Sequence, residues 1–265
     1  MLQQSDIDGL VDQLDAAANQ GAAIRPPAAR YPGLSLIDAY RVQEAWVARH
    51  LARGRRRVGY KLGLTTAAAQ RNLGIDRPIY GVLYADGETP NGGRLATGGL
   101  IAPRAEPELA FTMRAPLAGE VSAAEALDAI AHAAPALEII DNRVLAKDPE
   151  TGRARCALDI IADGGGALGF IISEQRFDPR TVDMAAIETV ICVGENCQTG
   201  RFDAVFGSPE KALVELAREL ARRGEGLAAG DIVLTGSPLG PVALAAGDHV
   251  VADFGALGKI EVTAQ

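Results

Sequence analysis

Two glutamates one residue apart, Glu106 and Glu108 in Arg104-Ala105-Glu106-Pro107-Glu108-Leu109-Ala110-Phe111, and a third in Ala136-Leu137-Glu138-Ile139-Ile140-Asp141, have the residue type and spacing of half a metal site. In a β-strand, residues i and i+2 point to the same face, so Glu106 and Glu108 project side by side while Leu109 and Phe111 pack on the other. Glu138 stands in a similar apolar run. Carboxylates on apolar strands carry a large desolvation cost, and a shared hard cation with oxygen ligands, Mg²⁺ or Mn²⁺, relieves it. Taken alone, the pair at i, i+2 also fits the solvent side of an ordinary half-buried strand. Lys61 has comparable surroundings. It lies among Val58, Tyr60, Leu62 and Leu64 in a strand-like run, so part of its side chain should face an enclosed space, although most lysines are at the surface.

The elements that must position these groups read as helices first and strands later. Residues Ile7 to Gln20 and Ser35 to Ala52 have helical spacing, the second behind a Ser35 N-cap with Ile37, Tyr40, Trp46 and Leu51 towards one side. Between them Arg25-Pro26-Pro27-Ala28-Ala29-Arg30-Tyr31-Pro32-Gly33 reads as an extended connector and a candidate domain boundary. Ser122-Ala123-Ala124-Glu125 is a capping box opening a short helix to about Ala133, and Ser208-Pro209 opens a longer one that stops at Gly224. Leu227-Ala228-Ala229-Gly230-Asp231-Ile232-Val233 and Leu244-Ala245-Ala246-Gly247-Asp248-His249-Val250 use one turn-then-strand device twice. Gly164-Gly165-Gly166-Ala167-Leu168-Gly169 matches the dinucleotide-binding pattern, but β-prone Phe170-Ile171-Ile172 follows it instead of a helix. It reads as a flexible turn at the mouth of a pocket.

Composition excludes several classes of function. A chain of 265 residues can bury a substantial core. A net charge of -8 gives no basic field for nucleic acid or an anionic membrane, which points to a small-molecule partner. No apolar stretch has the length of a membrane span and the N-terminus lacks the order of a signal peptide, so a cytoplasmic protein is expected. Three cysteines, Cys156, Cys192 and Cys197, lack C-x-x-C spacing and suggest neither a disulfide framework nor a zinc site.

From about Gly33 onward the chain resembles the 2-oxo-4-pentenoate hydratase / 4-oxalocrotonate decarboxylase family of the fumarylacetoacetate hydrolase superfamily. The segments that carry the resemblance are Gly59-Tyr60-Lys61-Leu62-Gly63-Leu64-Thr65, Arg77-Pro78-Ile79-Tyr80-Gly81, Glu106-Pro107-Glu108-Leu109-Ala110-Phe111, Pro135 to Asp141, and Asp253-Phe254-Gly255-Ala256-Leu257-Gly258. It implies an α+β fold with a β-rich core, a mixed roll or barrel, flanked by helices. Residues 1–32 would be an N-terminal helical extension and connector, and 33–265 the catalytic domain. It also implies that Glu106, Glu108 and Glu138 hold Mg²⁺ or Mn²⁺, which engages the carboxylate and 2-oxygen of an unsaturated 2-oxo or 2-hydroxy acid. Lys61 would then be catalytic, Leu64 and Thr65 would line the substrate site, and the chain would be a homo-oligomer.

The expected activity is hydration of a 2-hydroxy-2,4-dienoate to a 4-hydroxy-2-oxo acid in aromatic-compound catabolism, with decarboxylation of a 2-oxo-3-enedioate as the alternative. Two signals conflict. Ile79 stands where the family's hydratases have aspartate and resembles the decarboxylases, an apolar wall favouring CO₂ loss. Asp148-Pro149-Glu150-Thr151-Gly152-Arg153-Ala154-Arg155 instead resembles an insertion in hydratases that act on a seven-carbon dioate. Gly164 replaces a common asparagine, removing one hydrogen-bonding amide, and Thr235-Gly236-Ser237-Pro238 is closer to the hydrolytic relatives. Acylpyruvate-type C–C hydrolysis would need a water-activating base, yet His50, His132 (near the end of the capped helix) and His249 fall outside the site motifs. The cluster Arg53, Arg55, Arg56 and Arg57 reads as a solvated helix end, one member of which could reach a distal carboxylate. A non-catalytic structural subunit is the remaining alternative, argued against by retention of all three glutamates and Lys61.

Overall fold

The computed structural model describes residues 1–265. In chain order the helices are α1 (Gln4–Gln20), α2 (Pro27–Arg30), α3 (Leu36–Ala52), α4 (Ala67–Leu73), α5 (Ala123–Asp128), α6 (Ala157–Ala162) and α7 (Glu210–Ala221). The strands are β1 (Arg57–Gly63), β2 (Ile79–Tyr84), β3 (Gly93–Leu95), β4 (Arg104–Met113), β5 (Ile130–Ile140), β6 (Ala167–Ile172), β7 (Glu188–Val193), β8 (Asn196–Arg201), β9 (Ile232–Leu234), β10 (Val242–Ala243), β11 (His249–Asp253) and β12 (Lys259–Ala264). This is the α+β class expected.

One sheet runs β2-β1-β9-β4-β5-β6, with β10 also on β4, and the other runs β3-β12-β11-β7-β8. Just beyond β2, the Thr89 N–H bonds to Phe170 O of β6 at 2.9 Å, so the first sheet curls back towards its own opening strand. Leu109, Phe111 and Leu137 lie on one face of β4 and β5 and share a buried core with Ile191, Val250 and Ile260 of the second sheet. The glutamates stand on the other face.

A proline in the middle of β4 marks the position of the site. Pro107 cannot donate to a ladder, which ordinarily keeps proline out of central strands. Here β10 pairs with Arg104 and Ala105, while β9 pairs with Ala110 to Thr112. Residues between them have a strand neighbour only on the β5 side, and that interruption admits both the proline and the loop 235–241.

The helices brace this sheet from outside. Ile7, Leu10, Val11 and Leu14 of α1 pack on Val42 and Trp46 of α3, and Arg53 clamps Asp15 with two bonds of 2.7 Å. Ser35 caps α3 as expected, accepting from Asp38 N at 3.1 Å. Of the residues assigned to one side of α3, Tyr40 and Trp46 are buried, but Ile37 and Leu51 are exposed, since the helix turns its Val42 and Gln43 side inward. The connector is not fully extended. Pro27 opens the short α2, a position where its missing N–H costs nothing. Ile24 bridges Val144, and the Ala28 N–H donates to Asp159 Oδ1 at 2.7 Å.

Other local expectations met mixed outcomes. The Ser122 capping box is present, but α5 ends at Asp128 and residues from Ile130 onward are strand. His132 is therefore on β5, because the apolar run Ala133 to Ile140 satisfies sheet pairing on both sides. The repeated Gly-Asp turns share one chemistry. Asp231 Oδ2 accepts from Ala228 N at 2.9 Å and Asp248 Oδ2 from Ala245 N at 2.7 Å, each turning the chain at a glycine with φ near 90°. Against expectation, Cys192 and Cys197 form a disulfide. They face each other across the β7–β8 hairpin turned at Gly194, a juxtaposition that five-residue spacing alone does not announce.

Asp159, fully buried, also accepts from the N-terminal N–H of its own helix, Cys156 N, at 2.9 Å. Asp159→Ala leaves two N–H groups unpaired, that of Ala28 buried and that of Cys156 partly so, and should lower unfolding free energy by about 2–4 kcal/mol in urea titration. A loss below about 1 kcal/mol would show that Asp159 does not tie the N-terminal segment to the body.

Candidate active site

β4 and β5 are in antiparallel register with Glu106 opposite Glu138, so the i, i+2 spacing on one strand and a single residue on the next bring three carboxylates together. Ligand oxygens of Glu106, Glu108 and Glu138 lie within 4.8 Å of one another. Glu108 and Glu138 are almost wholly buried. Lys61, 2% exposed, projects from β1 and places Nζ 3.0 Å from Glu138 Oε1. Despite that ion pair, neither Glu138 oxygen accepts a properly directed hydrogen bond. Glu108 is held from the interrupted side, where the Gly236 N–H donates to its Oε2 at 2.7 Å. Gly236 must be glycine: its φ is +94°, and a Cβ would fall 2.3 Å from Thr65 Oγ1.

Electrostatics follow from three acids around one cation. Burial, then the Glu138 charge, pushes Glu106 up to about 7 against the pull of Lys61 and Arg104. Burial raises Glu108 well above the usual carboxylate range, with Glu138 and Glu106 adding to it. Glu138 is also raised, burial outweighing Lys61. Burial alone would lower Lys61, as the enclosed surroundings inferred for it imply, but Glu138, Glu106 and Glu108 overcome it and the net shift is upward. Lys61 is therefore an ammonium at neutral pH. A buried set of hard oxygen donors, two of them without a hydrogen bond, fits a divalent cation such as Mg²⁺, Mn²⁺ or Ca²⁺.

These groups open onto a cavity of about 460 Å³. The anticipated Lys61, Leu64 and Thr65 line it, together with Glu106, Glu108 and Ile79. Leu64 adopts a left-handed φ of 57°, turning the chain from β1 across the opening. Gly165 lies against the Lys61 side chain and Gly166 is buried, so the triple glycine is a packed floor under the lysine, not a flexible rim.

The residues 88–265 match the family model described as fumarylacetoacetate (FAA) hydrolase C-terminal. The chain belongs to the fumarylacetoacetate hydrolase family. It is 36% identical over 253 residues to the 2-oxo-hept-4-ene-1,7-dioate hydratase of Escherichia coli, covering 95% of each. It is 33% identical over 255 residues to a 4-oxalocrotonate decarboxylase of Pseudomonas sp, covering 96% of each. In structure it is similar to 4-oxalocrotonate decarboxylase from Pseudomonas putida G7 complexed with magnesium and adipate. The TM-score is 0.93 at 28% identity, covering 100% of this chain and 99% of that one.

Within this member of the family, several assignments from sequence change. None of Arg53, Arg55, Arg56 and Arg57 lines the cavity. Arg53 binds Asp15, Arg55 binds Asp86, and Arg57 contacts the Tyr60 hydroxyl. The arginines that do line it, Arg104 and Arg155, were quoted in the sequence motifs without a role. Asn72, Asn142 and Ser237 were likewise missed, since isolated polar residues give no signal until the fold gathers them. The departure at Gly164 is not in this cavity: a Cβ there would meet only Trp46, at 4.0 Å. None of the three histidines lines the cavity.

Carboxylates whose folded pKa is raised make the metal-free protein less stable as pH climbs from the usual 4.5 of glutamate through about 7 for Glu106, because the folded state holds protons that the unfolded state releases. Without divalent cations, melting temperature should fall between pH 5 and 8. Mg²⁺ at one hundred times its Kd should raise it at pH 8 by about 5–10 °C. A melting temperature indifferent to Mg²⁺, Mn²⁺ and Ca²⁺ at pH 8 would rule the triad out as a cation site.

Proposed function

We propose that the chain is a divalent-metal-dependent lyase of unsaturated 2-oxo acids, hydrating a 2-hydroxy-2,4-dienoate to a 4-hydroxy-2-oxo acid. The observation that carries this reading is the convergence of Glu106, Glu108 and Glu138 within 4.8 Å beside buried Lys61, all lining one cavity. Glu106, Glu108 and Glu138 would hold the cation, which when bound supplies a Lewis acid that draws electrons towards the substrate 2-oxygen. Relatives named hydratases and decarboxylases, similar over nearly the whole chain, support the reaction class.

The protein groups account for the remaining work. Lys61 Nζ, kept protonated by three carboxylates, would deliver a proton to the dienol carbon, C5, while the enol O–H proton passes to solvent and the enol becomes a 2-oxo-3-enoate. C4 is then electrophilic, and water adds its oxygen there and a proton at C3. Thr65 is buried beside Leu64, whose left-handed backbone turns the chain across the cavity. Asn72, Asn142 and Ser237 give the cavity donors and acceptors with which a reacting water can be held. Ile79, the strand partner of Gly63, and Leu62 give the cavity a wall of apolar surface near Lys61.

That wall also supports a second reading. Ile79 is 2% exposed and offers no hydrogen bond to a water, which suits decarboxylation of a 2-oxo-3-enedioate through the same electron sink. A histidine-assisted C–C hydrolase has no support from the geometry, because no histidine lines the cavity.

Mass spectrometry of the Mg²⁺-loaded protein with 2-hydroxypenta-2,4-dienoate and with 2-oxo-3-hexenedioate separates the two readings: gain of water marks the hydratase, loss of CO₂ the decarboxylase. Lys61→Met should lower kcat/KM by about 10²–10⁴-fold. Glu106→Gln should lower both turnover and Mg²⁺ affinity with the assembly unchanged. Turnover unaffected by either substitution would overturn the roles given to Lys61 and Glu106, whereas turnover of neither substrate by the wild type would leave the structural-subunit reading in its place.

A further inference from the structure

We propose that Arg104 and Arg155 form a second anion subsite in this cavity, which binds the distal carboxylate of an unsaturated 2-oxo dioate. The inference rests on the lyase reading and names its substrate class: an acid charged at both ends.

Placement carries the argument. Arg104 precedes Glu106 by two residues on β4, so it stands on the carboxylate face about 6.8 Å further along the strand. Its entry into the strand is fixed by buried Asp141, which accepts from Ile101 N at 3.0 Å and Ala102 N at 2.7 Å. Arg155 arrives from a separate direction. The Ala154–Lys147 bridge and a bond from Arg155 N to Ala146 O at 2.9 Å fold the segment after Lys147 back on itself, and Arg155 is returned to the cavity wall. Asp148 holds that turn through Thr151 at 2.7 Å and Arg25 at 2.8 Å.

Both guanidiniums lack an acidic partner. Arg104 has no ion pair or hydrogen bond, and Arg155 donates only to Val144 O, at 2.7 Å. Other arginines out of full solvent are paired: half-buried Arg25 with Asp148, and buried Arg143 with Asp163 at 2.6 Å. Asp163 is thus already engaged by Arg143 and forms no ion pair with Arg155. Burial, only partly offset by the Asp163 charge and joined by repulsion from Arg104, holds Arg155 below the usual guanidinium range. Two half-buried like charges lining one cavity are costly unless an anion joins them, and arginine is suited to a carboxylate.

This subsite also reconciles the conflicting sequence signals. The apolar Ile79 and the 148–155 segment point to different reactions, yet a six-carbon enedioate and a seven-carbon dienedioate share a distal carboxylate. The segment's contribution is Arg155 itself.

Calorimetry of adipate and hexanoate with the Mg²⁺-loaded protein tests the subsite without depending on turnover. Adipate should bind about 10- to 100-fold more tightly, and Arg104→Met or Arg155→Met should each remove about tenfold of that preference. Arg104→Met deletes no hydrogen bond, so it tests the idea even where Arg155→Met disturbs the turn. In parallel, the ratio of kcat/KM for a dienedioate to that for 2-hydroxypenta-2,4-dienoate should fall with each variant. Equal affinity for the two acids, or a preference that survives both substitutions, overturns the subsite while leaving the lyase intact. Arginine-dependent adipate preference without turnover of any unsaturated 2-oxo acid supports the subsite and removes the lyase.

Discussion

Three clustered carboxylates, two of them buried, facing one buried lysine set the central constraint of this structure. A single ammonium cannot neutralise three acids, and burial with mutual repulsion raises them: Glu106 is pushed to about 7 and Glu108 well above its usual range. Such a cluster costs stability in water-free surroundings. The cost is tolerable only when the surrounding sheet is rigid, and here it is, with Leu109, Phe111 and Leu137 fully buried on the reverse face. The carboxylates and the core are two faces of one pair of strands.

The interruption between β9 and β10 gives that rigid sheet its chemistry. A continuous strand beside β4 would satisfy the backbone there and leave no space for the loop 235–241. Instead Thr235 N bonds to Leu109 O at 3.1 Å, and the next residue, Gly236, turns its N–H onto Glu108. Gly81 plays a matching part on the Lys61 side, where a Cβ would lie 2.1 Å from Gly164 O. Close backbone approach at these two glycines lets β1, β4 and β5 present lysine and carboxylates to one cavity. The helices α1 and α3 are distant from the chemistry, and their contribution is to hold the segment that carries Val144 and α6 against the sheet.

Legibility in the sequence varied with the range of the interaction. Local devices were readable: the Ser35 and Ser122 caps, the Gly-Asp turns, and the same-face spacing of Glu106 and Glu108 are set by neighbours within a few residues. Lys61 was readable as enclosed because its flanking residues are apolar, but the direction of its shift was not, since three acids from other strands decide it. The end of α5, the burial pattern of α3 and the Cys192–Cys197 pairing depended on partners that spacing does not specify.

The sequence by itself determined the family, the α+β class and the candidate carboxylates, because uncommon motifs in a fixed order and a period-two pattern are properties of the chain alone. The tertiary structure decided which polar groups share the cavity. Arg104 and Arg155 are half a hundred residues apart and meet only through the folding of β4 and the turn after Lys147, whereas Arg53, Arg55 and Arg57, adjacent in sequence to Lys61, are bound elsewhere. A site is a set of side chains converging in space, and convergence across strands is fixed by register and packing, which no local pattern encodes.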